Sequence, residues 1–369
     1  MYIIIVGFFL RILLATFEYL FQISTLYMPD SLQFHEEAIV FYNYLDNNSL
    51  EDLINYNWRI GWIYSALLGF LYYIFTPSLL LGTYISGIFW FLSAIILYKI
   101  FLELKTSQST TNYYLFAYSF LFPTTIIYSS VILRESLMLL LVNLIIFIII
   151  KIKKNLKFYH LISFLIACSI FTVLHRANLI IITIFLMAII YVYIIKKINL
   201  SFYASAIFLL SFFLVLYFNG IVEIIYQTII NYQRGHFGDY DFDRAAYYTK
   251  DELINLSENF NLGSFLIMTT KNLYNYLLQP IFLNVSNFKD LILSYENLIR
   301  FSLLIIILFN IFFKFKNNFL LVICFLFFII NEMTYAQATI NWGTASRHHV
   351  PIIGALLLCI YLSKNKKLP

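Results

Sequence analysis

Apolar residues run in long unbroken stretches along this chain, near residues 2–23, 60–76, 79–103, 112–128, 133–151, 158–174, 178–195, 201–219, 299–313, 318–331 and 347–363. A helix rises ~1.5 Å per residue, so about 20 apolar residues cover the ~30 Å hydrocarbon core of a bilayer. The pattern therefore predicts eleven candidate spanning helices. No polar segment between them is large enough for a separate soluble domain. The expected fold is an all-α polytopic membrane bundle in which residues 1–369 form a single transmembrane domain. The first run, from Met1, lacks a basic leader and a small-residue cleavage site, and is expected to be retained as a span.

Charge placement orients these runs. Lys and Arg concentrate in cytoplasmic loops, and the basic clusters are Lys99 with Lys105; Lys151, Lys153, Lys154 and Lys157; Lys196 with Lys197; Lys314 with Lys316; and Lys364, Lys366 and Lys367. Segment 24–58 holds Asp30, Glu36, Glu37, Asp46, Glu51 and Asp52 with no Lys or Arg, so it belongs outside. If 60–76 crossed the membrane, every later basic cluster would invert. That run starts beside Trp58, Arg59, Gly61 and Trp62 and stops at Pro77, which suits an interfacial helix. Ten spans are expected, with both termini cytoplasmic and long outer loops at 24–78 and 220–298. Chemistry is then expected on the outer face of an inner (plasma) membrane.

Composition narrows the function classes. Hydrophobic residues make up 62% of the chain and charged residues 12%, against roughly 45–50% and 25% in ordinary globular proteins, which excludes a soluble enzyme. The formal charge of +5 comes from lysines beside apolar runs, so no nucleic-acid partner is expected; membrane lipid is. Cys168, Cys324 and Cys359 lie inside apolar runs with no CxxC spacing, which indicates neither a disulfide framework nor a metal knuckle. The inner loops carry no glycine-rich phosphate cradle.

Ionisable residues inside or at the ends of apolar runs are costly and are functional candidates by default. Asp30 follows the first run in MPDSLQFHEEA, where Asp30, Phe34 and Ala38 share one face of a helix starting at about Pro29. It is readable either as a general base at the mouth of a dry cavity or as a helix-start charge favoured by the macrodipole. Arg134 and Glu135 stand between apolar residues and are readable as a phosphate-binding guanidinium with a second carboxylate, or as structural ion pairs. Arg176 and Arg347 repeat the situation at two further outer helix ends, each beside a histidine, His175 and His348. Three outer arginines suit a lipid-linked phosphate, whereas snorkelling is the ordinary fate of any one of them. Arg11 lies mid-span, two turns from Glu18, and is expected to pair within the bundle. His35, Glu36 and Glu37 are adjacent and point in different directions, so no metal site is expected from their spacing. Asp239, Asp241 and Asp243 alternate with aromatic residues ahead of Arg244, which reads as a solvated loop or as a sugar-binding surface; the DxDxD spacing lacks the glycine and terminal Glu of a calcium loop, so calcium is not expected.

These features together resemble the GT-C superfamily, polytopic glycosyltransferases such as the protein mannosyltransferases and aminoarabinose transferases. Asp30, Phe34 and Ala38 stand in that family's D-x3-Y-x3-A pattern, with Phe for Tyr. Glu135 occupies the place of a second acid, where Asp is usual, and 220–298 matches a large outer loop. The layout resembles the family over nearly the whole chain, although its motifs are short. The resemblance implies extracytoplasmic juxtamembrane helices and an inverting transfer of sugar from a polyprenyl-phosphate donor to a hydroxyl on a glycan, lipid or protein acceptor. It implies Asp30 and Glu135 as catalytic residues, while Arg134, Arg176, Arg347, His175 and His348, read from their own placement at outer helix ends, are expected to bind substrate or phosphate. No cofactor is expected, and a divalent metal is not indicated. An O-antigen-type polysaccharide polymerase or ligase and a lipid-linked saccharide transporter are the alternative readings.

Overall fold

The computed structural model describes residues 1–21, 29–47, 62–198, 221–237, 246–258, 261–314 and 319–364. The 201–219 run and Asp239, Asp241, Asp243 and Arg244 lie outside these residues. Every named element is helical: α1 Tyr2–Phe21, α2 Pro29–Asn47, α3 Trp62–Ile74, α4 Leu79–Glu103, α5 Gln108–Phe116, α6 Pro123–Tyr128, α7 Glu135–Lys154, α8 Phe158–Leu174, α9 Arg176–Ile198, α10 Ile221–Phe237, α11 Lys250–Glu258, α12 Leu262–Leu278, α13 Phe288–Lys314, α14 Phe319–Ala338, α15 Trp342–His348 and α16 Ile353–Lys364.

Among the described residues, six segments are long and apolar enough to cross a bilayer: α1, α4, α7, Phe288–Ile311 of α13, α14, and Trp342–Lys364 across α15 and α16. The chain is thus a multi-pass membrane protein. The polarity of α1 agrees. Its buried positions are Ile4, Gly7, Arg11, Ala15 and Glu18, a stripe at helical spacing that carries its charges, while Val6, Phe9, Leu13 and Leu20 are exposed. An apolar face outward and a charged stripe inward is stable in hydrocarbon and unfavourable in water.

Three predicted runs differ in detail from the helices observed. The 112–128 run is broken into α5, a π turn at Ala117–Leu121, and α6. Pro123 supplies no backbone N–H and its ring opposes continuation of the preceding helix, so the chain turns at Phe122, which is extended. The 60–76 run forms the 13-residue α3, which at ~1.5 Å per residue is about 20 Å long and falls short of the hydrocarbon thickness. The 158–174 run forms α8, whose 17 residues make it one of the shorter apolar helices.

The chain divides into two compact units, Met1–Leu179 with Leu298–Phe328 and Arg347–Pro369, and Ile180–Asn297 with Ile329–Ser346. In the first, α7 is central: it packs against α4, α8 and α16, while α1 packs on α4 and α2 on α3. Buried polar side chains in this core have specific partners. Arg11 donates to Ser129 Oγ (2.7 Å) and to the Gly7 carbonyl (2.9 Å), with its guanidinium 3.4 Å from the centre of the Trp90 ring. Asn143 on α7 donates to Ser93 Oγ (2.9 Å) and Tyr118 OH (3.1 Å). A Cβ at Gly354 would lie 2.0 Å from Asn143 Oδ1, so glycine lets α16 approach α7 there. At the C-terminal ends of α4 and α7, Glu103 takes Lys151 and Lys154, the latter at 2.7 Å. The two helices therefore run parallel, with the predicted cytoplasmic lysines gathered at one end.

Candidate functional site

The opposite end of α7 begins at Glu135, and there the first unit assembles an acid–guanidinium cluster. Its geometry starts with α2. Pro29 at the first helical position has no N–H to leave unsatisfied, and Asp30 follows in the first turn, where the helix dipole favours a carboxylate. Phe34 and Ala38, one and two turns on, are buried, so Asp30 begins the inward face, as its spacing predicts.

Several contacts hold α2 in register. Ser65 Oγ donates to Glu37 (2.6 Å), and His35 Nδ1 pairs with Tyr72 OH (2.9 Å). A Cβ at Gly69 would lie 2.6 Å from the Ala38 carbonyl oxygen, so glycine permits the close approach of α3. Ser31 Oγ accepts the Ile132 amide (3.2 Å), which ties the start of α2 to the loop leading into α7. Neither Ser31 nor Ser65 stands out in the sequence, because a serine in a polar stretch carries no signal of its own.

Arg347 joins the two acids. Its Nε and Nη2 donate to Glu135 Oε1 at 3.1 and 2.9 Å, and its Nη1 donates to Asp30 Oδ2. Glu135 is 1% exposed, whereas the Asp30 side chain is 41% exposed and that of Arg347 15%. One guanidinium thus bridges a buried carboxylate and an accessible one. Glu135 is the first residue of α7, where the helix dipole adds to the support from Arg347. Its Oε2 is buried with no hydrogen-bond partner among the described residues. A buried unsatisfied carboxylate oxygen is unusual and costs free energy that an ordinary structural ion pair avoids.

The other candidates divide. Arg134 donates to the Leu174 carbonyl (2.9 Å) and lies 5.9 Å from the centre of the Phe34 ring. His175 and His348 meet edge to face, ring centres 5.5 Å apart. Burial, reinforced by the Arg134 and Arg347 guanidinium groups, pushes the His175 pKa down to about 3, so this imidazole is neutral at physiological pH. Its Nδ1 accepts the Ala177 amide (3.2 Å), which places the ring proton on Nε2 and makes that nitrogen a donor. Arg176 is different. It opens α9 with an exposed side chain and makes no hydrogen bond or ion pair among the described residues.

The cluster therefore combines an accessible carboxylate, a buried one with a vacant lone pair, two arginines and a neutral histidine. It can accept a proton at Asp30 and offer planar N–H groups to an anion. Among the described residues no group of three or more His, Cys, Asp or Glu is arranged to hold a metal ion. Comparison with protein-family models, with curated proteins and with solved structures finds no match to this chain.

Proposed function

We propose that the chain is a GT-C-like membrane glycosyltransferase acting on the extracytoplasmic face of the inner membrane, with ten spans and both termini in the cytoplasm. The observation that carries this reading is the bridging of Asp30 and Glu135 by Arg347. Orientation is supported by α7. Its 20 residues cover about 30 Å and separate the cluster from Lys151, Lys153 and Lys154, which the positive-inside rule places in the cytoplasm.

The reaction is an inverting displacement. An acceptor hydroxyl attacks the anomeric carbon of a polyprenyl-phosphate sugar, and the bond from that carbon to the phosphate oxygen breaks. Asp30, the exposed acid, receives the hydroxyl proton as general base. Polyprenyl phosphate leaves with its negative charge growing, and the Arg347 and Arg134 guanidinium groups face that charge with donors fixed beforehand. Glu135 holds Arg347 in place beneath the accessible Asp30. His175 supplies a neutral N–H. Arg176, outside the cluster, has no role in this step.

The purified chain in liposomes, given polyprenyl-phosphate sugars and a panel of hydroxyl acceptors, is expected to release polyprenyl phosphate in an acceptor-dependent manner. Movement of a labelled donor across the bilayer without release would replace this reading with a transporter.

A further inference from the structure

The second unit contains a cleft of about 500 Å³ lined by Ala246, Tyr247, Lys271, Asn275, Gln279, Leu283, Asn284, Val285 and Trp342. This volume falls within the ~300–1,000 Å³ of small-molecule sites. Its wall comes from α12 and its C-cap: Lys271 and Asn275, four residues apart, lie along one helix face, and Gln279 is the extended residue that ends the helix. Its floor comes from a short antiparallel bridge between Ala246 and Asn341, with the Tyr247 amide donating to the Ile340 carbonyl (2.8 Å). That bridge brings Tyr247 beside Trp342.

The frame is fixed. Trp342 Nε1 donates to Asp290 (3.3 Å), whose other oxygen accepts Ser286. Asn297 Nδ2 donates to the Gln279 carbonyl (2.6 Å), and Ser294 Oγ to the Pro280 carbonyl (2.6 Å). The amides facing the cleft are by contrast underused. The Asn275 side chain is largely buried yet makes no hydrogen bond among the described residues. Gln279 spends its Oε1 on Asn284 Nδ2 (2.9 Å) and the Ile281 amide (3.4 Å), leaving its NH2 without a partner among the described residues. Lys271, the cation among the described lining residues, is paired with Glu252 at 3.1 Å.

These features select a ligand chemistry. An anion would meet a cation already paired. An acyl chain would bury the free amides without partners, at about 1–3 kcal/mol each. A ring bearing hydroxyls satisfies both sides, because hydroxyls donate and accept as amides do, and its C–H face matches an apolar floor of Ala246, Tyr247, Val285 and Trp342. We propose that this cleft binds a neutral saccharide, with Asn275 and Gln279 as its hydrogen-bonding residues. Binding here needs no turnover, so the proposal stands or falls separately from the transfer reaction.

The test is calorimetric titration of the full chain in detergent with maltotriose, mannotriose, chitotriose, trigalacturonate and inorganic phosphate. At least one neutral trisaccharide is expected to bind. Its affinity should fall about 10-fold or more in an Asn275→Leu/Gln279→Met double variant, with Ile267→Ala, at an exposed position of α12 outside the cleft, nearly unchanged. Gln279→Met alone, at a half-buried position, provides the comparison if the double variant does not fold. Binding of none of the neutral sugars, binding of the charged probes only, or equal affinity in the variants would overturn the assignment.

Discussion

Arg347→Ala is expected to destabilise the protein by about 3–5 kcal/mol, the usual effect of removing one partner of a buried ion pair. Nearly all of this loss traces to Glu135, which is 1% exposed and would keep a charge with neither Arg347 donor. Asp30, with a side chain 41% exposed, regains water and contributes little. Glu135→Gln in the Arg347→Ala background should therefore recover part of the lost stability, since a neutral amide needs no cation. The pair is coupled, so the double variant should be more stable than the sum of the single effects. Thermal unfolding in detergent reads both. Equal midpoints for Arg347→Ala and the parent protein would show that the bridge contributes nothing. Arg347→Lys separates charge from geometry. One ammonium keeps the charge, but it lacks the planar fork that spans both acids, so transfer should fall at least 100-fold while folding is retained.

Asp30→Asn should reduce transfer by about 10²- to 10⁴-fold, the range contributed by a general base, with little change in stability or donor binding. The amide oxygen still accepts an Arg347 N–H, and an exposed pair is worth little. The distinguishing feature is this separation of effects. A merely structural Asp30 would lose stability and activity together or neither, whereas a base loses turnover alone. Initial rates of polyprenyl phosphate release, measured beside donor affinity, decide between them, and full turnover by Asp30→Asn would remove Asp30 from the chemistry.

Local features of the site were legible in the sequence. The Asp30, Phe34, Ala38 spacing marks an inward helix face, and charges at Arg134 and Glu135 stand out against apolar neighbours, while Arg347 stands out just before an apolar run. Their convergence was not legible. Arg347 is 212 residues from Glu135 and 317 from Asp30, and no local periodicity reports contacts at such separations. Arg176 and Arg347 look alike as arginines beside histidines at helix ends, yet one faces outward and the other is clamped by two acids. A helix turns ~100° per residue, so a small difference in register decides which face an end residue takes. Hydropathy also read 112–128 as continuous, because it scores side chains and does not register the backbone N–H missing at Pro123. The cleft of the second unit is hidden for another reason: amide side chains in NLYNYLLQPIFLNVSN carry no signal of a cleft until the 246–247 and 340–342 segments are brought together.

Every role assigned to the cluster requires that it open to the extracytoplasmic side. An Asp30→Cys variant tests this directly, since Cys168, Cys324 and Cys359 are all buried and give little background. A membrane-impermeant maleimide applied to intact cells with a permeable outer layer should modify the variant thiol and leave the parent protein unlabelled. Modification from inverted vesicles alone would put Asp30 on the cytoplasmic side and contradict the account.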